Sequence, residues 1–449
     1  MSVIIIGNGN LITRDSKNTY IENGAVAVEG ERILSVGKDS ELRKHYPDAT
    51  YIDAEGMVIM PGLINAHQHI YSTYARGLSI PGEPAQNFLE ILDKTWWHID
   101  RRLTLENTYY SAMTNFIECI KNGVTFISDH HAGFGAIEGS LFELGRAAKE
   151  LSVRACLCYE ISDRDGIEKR DASIRENMEW LSYVKKLQEE NPDKSNMLHG
   201  LVGMHASFTL SEETLEKCVM ENTLQAGYHI HVAEGFYDEM HCREKYHTSV
   251  IERLQKHGIL GKNTVTGHCI YVSENDMDII KETDTMVVHN PESNMGNAVG
   301  APDIISMYDK GILVGLGTDG YTNDMLESLK VANLLQKHRR RLPDRGFTEA
   351  CDLLFQNNAK IAERLLQQKI GVLEPGALAD IILVDYKPIT PMNCNNLNGH
   401  IMFGMQGCMT DTTMINGKLV MRHKKLTDID EEEIFAKSRE SAAELWSRM

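Results

Sequence analysis

The middle of the chain alternates between short apolar runs and longer segments in which apolar residues recur every three or four positions. The short runs predict strands, and the segments between them, such as 105–121, predict amphipathic helices. In order along the chain the predicted strands are 58–66, 124–128, 153–159, 198–204, 228–232, 264–267, 285–288 and 312–317. Eight strand–helix units predict an α/β fold, a (β/α)8 TIM-type barrel, whose active site forms at the carboxyl ends of the strands.

Both ends of the chain are β-rich and lack helical periodicity. Two of the C-terminal strands flank Asn416-Gly417, a strong signal for a tight hairpin. We expect residues 1–57 and 370–427 to pair in space as one small discontinuous β-sandwich, with the barrel spanning residues 58–369 between them. Residues 428–449 carry acidic residues early and basic residues late, which predicts a C-terminal helix.

Composition narrows the class of protein. The 449 residues include 46 basic and 64 acidic ones, a formal net charge of −18. Such a charge repels phosphate backbones and anionic lipids, so we expect neither a nucleic acid nor a membrane as a partner. The nine cysteines form no CxxC pair, which favours reduced thiols over a disulfide framework. With no basic leader and no apolar run of 18 residues, we expect a cytoplasmic protein.

Ionisable side chains follow all the predicted barrel strands. They are His67 with His69, Asp129 with His130 and His131, Glu160, His205, His231 with Glu234, His268, His289, and Asp319. Because the carboxyl ends of barrel strands meet at one mouth, we expect these groups to converge. A cluster of imidazoles at one mouth indicates a metal site.

His67 and His69 have the spacing of two ligands on one face of a strand. Alternate residues of an extended chain point the same way, so both imidazoles can bind one divalent cation. His229 and His231 share a face for the same reason, and we expect His231, nearer the mouth, to be the ligand. Asp319 can bind the cation and accept a proton from its water, although a turn aspartate before glycine is the plainer alternative.

Other residues at the mouth are candidates for proton transfer. Glu234 follows His231 by three residues and can lean over the site, where desolvation would raise its pKa and let it shuttle protons. His268 and His205 each fit a core histidine as well as an active-site histidine.

Substrate contacts are expected from Arg76, His131, His205 and His289. Arg76 lies in the long segment 71–103, which suits an active-site lid but also suits aromatic packing under a helix. Of the adjacent His130 and His131 only one can point inward. His289 opens an X-Pro bend that could present polar groups to a ligand.

Two competing functions have weaker support. The run Gly315 to Gly320 matches GxGxxG, but Asp319 inside it would repel a pyrophosphate and no acid-bearing strand follows, so an NAD-type oxidoreductase is disfavoured. A barrel that has lost its chemistry and serves as a scaffold remains an alternative, which the four candidate ligands and Glu234 argue against.

Five motifs, in order, resemble the amidohydrolase superfamily. They are residues 61–69 (PGLINAHQH), 229–234 (HIHVAE), 267–268 (GH), 289–295 (HNPESNM) and 317–320 (GTDG). Within it they resemble the branch of cytosine, guanine and S-adenosylhomocysteine deaminases and triazine hydrolases. Residues 71–77, 96–100, 129–132 and 293–300 look closer still to the SsnA family of aminohydrolases.

The resemblance implies a set of roles. His67, His69, His231 and Asp319 match the ligands of one divalent ion per subunit, zinc first and iron second; Glu234 and His268, with Asp319, match the proton-transfer residues, and His205 a histidine near metal or substrate. A homodimer is expected from the family alone.

The activity that follows is hydrolytic deamination of a nitrogen heterocycle by a metal-activated water, or removal of another leaving group from such a ring. Deaminases of this branch often have Lys and Gly after Ser-Asn-Met, whereas Gly296-Asn297-Ala298 follows here, so the small heterocyclic substrate stays unnamed.

Overall fold

The computed structural model describes residues 2–191 and 197–449. Numbered along the chain, the strands are β1 Val3–Ile12, β2 Tyr20–Glu29, β3 Arg32–Lys38, β4 Thr50–Asp53, β5 Val58–Pro61, β6 Leu63–Gln68, β7 Val124–His131, β8 Arg154–Tyr159, β9 Leu198–Gly200, β10 Val202–Ala206, β11 Tyr228–Val232, β12 Val265–His268, β13 Met286–His289, β14 Val314–Leu316, β15 Ile381–Val384, β16 Thr410–Ile415, β17 Lys418–Arg422 and β18 Lys425–Leu426. The α-helices are α1 Asp39–His45, α2 Phe88–Ile91, α3 Trp97–Asp100, α4 Leu105–Lys121, α5 Ser140–Leu151, α6 Ile167–Glu190, α7 Glu212–Glu221, α8 Phe236–Tyr246, α9 Val250–Lys256, α10 Glu274–Glu282, α11 Pro291–Gly296, α12 Ile304–Asp309, α13 Met325–Arg340, α14 Phe347–Asp352, α15 Asn358–Leu366, α16 Leu397–Gly404 and α17 Glu431–Trp446.

The central strands close into a barrel. Among the described residues, β6 to β9 and β10 to β14 form two parallel sheets in which each strand pairs with the next. Parallel bridges from Gln68 to Asp319 and from Ile161 to Met204 join the two sheets at both seams. Because β9 and β10 are two pieces of one strand position, interrupted at Leu201, the described strands make an eight-position barrel. The predicted (β/α)8 fold is confirmed.

Helix α4 shows why the sequence pattern predicts its elements well. The Thr104 hydroxyl accepts a hydrogen bond from the Asn107 backbone, and the Asn107 side chain accepts one from the Thr104 backbone, which is a capping box. The helix ends at Lys121, and its cap Asn122 is followed by Gly123 with φ of 77°. Its bounds therefore match the predicted helix 105–121.

The two ends of the chain form one mixed β-sheet. Its strand order in the described residues is β18-β17-β16-β15-β5-β1-β2-β3. β1 pairs in parallel with β4 along its first half and with β5 further on, so the sheet branches at β1. Asn416 and Gly417 have φ of 53° and 77°, the left-handed pair that a tight hairpin needs. The predicted β-rich unit from both chain ends is confirmed.

The predicted strand 58–66 is two strands that belong to different sheets. β5 pairs antiparallel with β15 in the small sheet, and β6 opens the barrel. Gly62, between them, donates its backbone N–H to Asp380 and lies so close to Thr125 that a Cβ would come within 2.3 Å of that side chain. The small sheet thus extends to Pro61 and not only to residue 57.

The C-terminal helix α17 packs on α4. Thr114 Oγ1 donates to Ser438 Oγ at 2.8 Å, and Lys121 pairs with Glu431 at 2.6 Å. In the described part of the chain, no helix is both long enough and apolar enough to cross a membrane.

Candidate metal centre and active site

The four predicted ligands meet at the mouth of the barrel. His69 Nε2 lies 3.1 Å from His231 Nε2 and 3.0 Å from Asp319 Oδ1. His67 Nε2 lies 3.7 Å from the same carboxylate oxygen. Ligands bound about 2.0–2.2 Å from one cation lie roughly 3–4 Å from each other, so the spacing fits a single ion.

Unpaired nitrogen atoms support this assignment. His67 Nε2 and His268 Nε2 are buried and have no hydrogen-bond partner among the described residues. A buried polar atom without a partner costs free energy unless an ion or another group satisfies it. Three imidazoles and one carboxylate are a suitable donor set for a divalent cation. The residues present therefore fit a divalent-metal site.

Neighbouring groups set the orientation of each imidazole. His69 Nδ1 donates to the backbone oxygen of His130 at 2.6 Å, and His231 Nδ1 donates to that of His205 at 2.9 Å. A carbonyl oxygen only accepts, so the Nδ1 atoms carry protons and each Nε2 is the nitrogen available to bind a cation. His67 Nδ1 lies 2.8 Å from Nε2 of His229, the residue that the sequence places on the same strand face as His231.

The charges of the cluster centre on Asp319. Burial would raise the pKa of its carboxyl, but His69, with His67 and His268, holds that pKa well below its ordinary value. Burial lowers the pKa of His67 to about 4. His231 is similarly buried, and its pKa lies well below the ordinary value. Both rings are thus neutral at pH 7, the form in which imidazole binds metals.

Glu234 and His268 lie beside the ligands. His268 Nε2 is 3.6 Å from Glu234 Oε2 and 3.6 Å from Asp319 Oδ2. Burial, with the Asp319 charge, raises the pKa of Glu234 to about 7, although His268 and Asn297 act against the rise. Glu234 can therefore gain and lose a proton near neutral pH.

Side chains of α11 and the following residue hold this arrangement. Ser293 Oγ donates to Asp319 Oδ2 at 2.5 Å, and Asn297 Nδ2 donates to Glu234 Oε1 at 3.4 Å. His268 Nδ1 donates to Asn294 Oδ1 at 2.8 Å, which turns its Nε2 toward the two carboxylates.

The backbone is strained where these side chains enter the site. Ala233, His268 and Asp319 have φ of 45°, 68° and 55°. A left-handed conformation in residues other than glycine costs about 1–3 kcal/mol and is frequent at functional sites. At the ends of β12 and β14 it turns the chain abruptly, while His268 and Asp319 still face the cluster.

An aromatic-walled pocket opens over the cluster. Its walls include Tyr71, Phe88, Trp96, Trp97 and Tyr321, and its cavity volume is about 40 Å³. Four of these residues come from the segment 71–103, so the predicted lid position lies over the site. The aromatic faces are flat, which suits a planar ring.

Two further carboxylates line the inner end of the pocket. Arg164 binds Asp100 through both nitrogens, the shorter contact being 2.6 Å, and contacts Glu160 at 3.0 Å. Burial raises the pKa of Asp100 to about 7, against the effect of Arg164. His205 also lines the pocket and donates to, or accepts from, Thr209 Oγ1 at 2.8 Å.

Three predicted substrate contacts lie outside the pocket walls. Arg76 forms a bidentate pair with Glu118, at 2.5 and 2.8 Å, beside a neighbouring cavity. His289 lies behind Asn294, whose Nδ2 is 3.4 Å from its Nδ1.

His131 is the third, and the structure distinguishes it from His130, whereas the sequence left open which of the two faces inward. Its ring is fully buried against Tyr71 and Tyr159. The ring of His130 lies 5.4 Å from that of His69 and 4.5 Å from that of His231, so His130 is the one that faces the cluster.

The sequence did not predict the amide and hydroxyl groups that hold Glu234, His268 and Asp319. Asn297 stood out as a departure from the family pattern, which was a usable signal. Asp100 and Glu160 gave only the weak signal of an acid near a strand end or in the lid segment.

Comparisons with known proteins agree with this geometry. The model of the amidohydrolase family matches residues 58–420, and a bacterial imidazolonepropionase-like composite domain matches residues 24–49. The chain is 30% identical to 5-methylthioadenosine/S-adenosylhomocysteine deaminase of Pelotomaculum thermopropionicum, covering 100% of both. It is 31% identical to 5'-deoxyadenosine deaminase of Methanosarcina acetivorans, covering 100% of this chain and 99% of the relative.

A solved structure shares the fold. The zinc-bound adenosine deaminase from Xanthomonas campestris superposes with a TM-score of 0.85 at 19% identity, covering 99% of this chain and 98% of that one. The family resemblance of the five motifs is thus confirmed, while the closer likeness to SsnA stays a prediction. With a family model over most of its length and relatives matched from end to end, this chain belongs to the amidohydrolase family.

Proposed function

We propose that this protein hydrolytically deaminates an amino-substituted nitrogen heterocycle. The observation that carries the proposal is the convergence of Glu234, His268 and Asp319, with 3.6 Å between neighbouring atoms, beside a divalent-metal site under an aromatic pocket. Water supplies the oxygen that bonds to the ring carbon, and the amino nitrogen leaves that carbon as ammonia.

Zinc is the proposed ion, with iron as the alternative, and His67, His69, His231 and Asp319 would hold it. When bound, such an ion lowers the pKa of a water molecule to about 7. Zinc is favoured by the three-imidazole, one-carboxylate donor set and by the zinc in the similar Xanthomonas structure.

Proton handling falls to the three catalytic side chains. Asp319 and His268 are placed to take the proton of the attacking water and to orient it. Glu234, with a pKa of about 7, is protonated in a substantial fraction of molecules at neutral pH and can give its proton to a ring nitrogen. Asn297 holds the other oxygen of Glu234 so that Oε2 faces the site.

The proposed substrates are 6-aminopurine nucleosides. The relatives at 30–31% identity are named for deamination of 5'-deoxyadenosine and of methylthioadenosine or S-adenosylhomocysteine. Trp96, Trp97 and Tyr321 offer flat faces against which a purine can stack.

The test is ammonia release after metal removal and replacement. Chelator-treated protein is assayed before and after adding zinc or iron, on 5'-deoxyadenosine, adenosine, guanine, cytosine and a chlorinated triazine. We expect metal-dependent ammonia release from an adenine nucleoside. Full turnover by rigorously metal-free protein would end the mechanism, and release of chloride without ammonia would favour another leaving group.

Metal content separates the enzyme from a scaffold. A degenerate barrel should bind little metal, whereas we expect about one ion per chain. We also propose a cytoplasmic homodimer, on the basis of the sequence and the family resemblance.

A further inference from the structure

A groove beside the pocket mouth has no part in the chemistry described above. It lies between the start of α2, the start of α8 and the residues after α11, and its volume is about 680 Å³. Phe88 and Asn297 line both this groove and the active-site pocket, so the two spaces adjoin at these residues. The groove begins at Gly235, directly after Glu234 in the chain.

The groove walls are mainly apolar and aromatic, and their polar members Gln86, Asn87 and Asn297 are uncharged amides. The larger side chains are Phe88, Leu89, Ile91, Phe236, Tyr237, Tyr271 and Val299. Among the described residues that line it, none is Asp, Glu, Lys, Arg or His. The inner pocket differs sharply, since its walls include Asp100, Glu160, Glu234 and Asp319.

Two aromatic side chains of the groove remain exposed to solvent. Phe236 is 60% exposed and Tyr237 is 37% exposed. The ring of Phe236 lies 5.5 Å from that of Tyr271 in an edge-to-face arrangement. Exposed apolar surface next to a pocket is typical of a ligand-binding groove.

Glycine permits the close packing at the junction. A Cβ on Gly235 would lie 2.8 Å from a ring carbon of Phe88, so a side chain there would displace the ring that separates pocket from groove. The junction is thus built from Gly235, Phe88 and Asn297, with one of its members hydrogen-bonded to Glu234.

We propose that this groove binds an uncharged apolar substituent carried by the heterocyclic substrate, with Phe236 as a specificity-determining residue. The inference rests on the proposed function, because the substituent must extend from a ring held in the inner pocket. A ring held over the cluster lies among Trp96, Trp97 and Tyr321, so a long substituent on it must extend into an adjoining space.

A second adjoining space suits a different ligand. This cavity of about 330 Å³ is lined by Gln68, Arg76, Asn115 and Asn323, together with threonines, and would receive a polar substituent. The groove suits an apolar substituent because it offers mainly apolar and aromatic contacts and places no charged side chain against it. A charged tail, such as the amino-acid end of S-adenosylhomocysteine, has no oppositely charged partner among the described residues that line the groove.

The test compares 5'-deoxyadenosine, 5'-methylthioadenosine, 5'-benzylthio-5'-deoxyadenosine and S-adenosylhomocysteine by kcat/KM. From the first to the third compound we expect a rise of about tenfold or more, since each buried methylene can contribute that much. S-adenosylhomocysteine should not share the rise. Phe236→Ala should lower the benzylthio-to-deoxy ratio about tenfold. Phe403→Ala, which removes another exposed phenylalanine, on α16, should leave the ratio as in the wild type.

Failure of the groove and failure of the proposed function give different results. Turnover of 5'-deoxyadenosine tests the function, and the ratio tests the groove; without turnover, calorimetric titration of the same two nucleosides gives the ratio as affinities. The inference would be overturned by a benzylthio-to-deoxy ratio near one or by a wild-type ratio in Phe236→Ala. It would also be overturned if S-adenosylhomocysteine gained as much as the benzylthio compound. Thr95→Phe fills only the polar cavity. If this variant lost the preference for the benzylthio compound, the substituent would lie in the polar cavity, and the groove inference would be wrong.

Discussion

Replacing His229 with phenylalanine tests how the protein prepares a metal ligand. His67 Nδ1 lies 2.8 Å from His229 Nε2, and both rings are completely buried. Burial lowers the pKa of His67 to about 4 and that of His229 well below its ordinary value, so both rings are neutral at pH 7. His67 must donate its single proton from Nδ1 to His229 if its Nε2 is to bind a cation.

The magnitude follows from leaving that donor without an acceptor. The phenylalanine ring keeps most of the volume, so the main loss is a buried hydrogen bond, which costs about 1–3 kcal/mol. The His67 ring escapes the cost only by moving its proton to Nε2 or by rotating, and either change removes the lone pair from the cluster. With 1.4 kcal/mol per tenfold change, zinc affinity should fall about 5- to 150-fold.

The assay is competition for zinc against a chromophoric chelator at pH 7, with the melting temperature as a check on folding. His229→Gln is the matched control, because its amide oxygen can still accept from His67, and it should bind zinc more tightly than the phenylalanine variant. Activity should return at saturating zinc. A folded His229→Phe protein with wild-type zinc affinity would refute the role assigned to this contact.

Four further predictions concern proton transfer, stability and the metal. Glu234→Gln should lower kcat by about 10²- to 10⁴-fold while metal analysis shows unchanged content; unchanged ammonia release would exclude Glu234 as the proton donor. Asn297→Ala removes a hydrogen bond that lowers the pKa of Glu234, so the alkaline limb of the pH–rate profile should move to higher pH, and a downward move would contradict the assignment. Burial raises the pKa of Glu292 from 4.5 to about 7, so between these pH values the folded state keeps a proton that the unfolded state has lost. The free energy of unfolding should therefore fall by at most about 3 kcal/mol as the pH rises through that range. Glu292→Gln, which keeps a hydrogen-bond partner for Ser328, should make this fall smaller when unfolding by denaturant is measured across the range. Metal removal should lower the melting temperature and zinc should restore it, whereas an unchanged transition would mean that the cluster binds no ion tightly.

The site follows from the sequence wherever local alternation decides the direction of a side chain. His67 and His69 share a face of β6 because a strand repeats every two residues. The same rule shows that only one of His130 and His131 faces inward but does not say which. That choice depends on the pairing of β7 with β6, whose register shifts between Asn65 and Gln68.

The other features that the sequence did not predict depend on contacts between segments far apart in the chain. The apolar run 58–66 is equally buried in the small sheet and in the barrel, so its pattern gives no sign of the change between them. Arg76 pairs with Glu118 of α4 across 42 positions, and no local pattern announces that pair. The hairpin at Asn416-Gly417 was predictable because its turn depends on the two residues themselves.

The metal site and the closure of the barrel depend on the same contacts. The bridge between the first and last barrel strands joins Gln68 and Asp319. The backbone N–H of His69 donates to the backbone carbonyl oxygen of Asp319 at 3.2 Å. The backbone N–H of Asp319 in turn donates to the backbone carbonyl oxygen of His67 at 3.1 Å. Since these hydrogen bonds join ligand-bearing residues, a cation held by His67, His69 and Asp319 would also hold the seam closed. The strained backbone of Asp319 is tolerated because its N–H and its carbonyl oxygen are both hydrogen-bonded, to the backbones of His67 and His69.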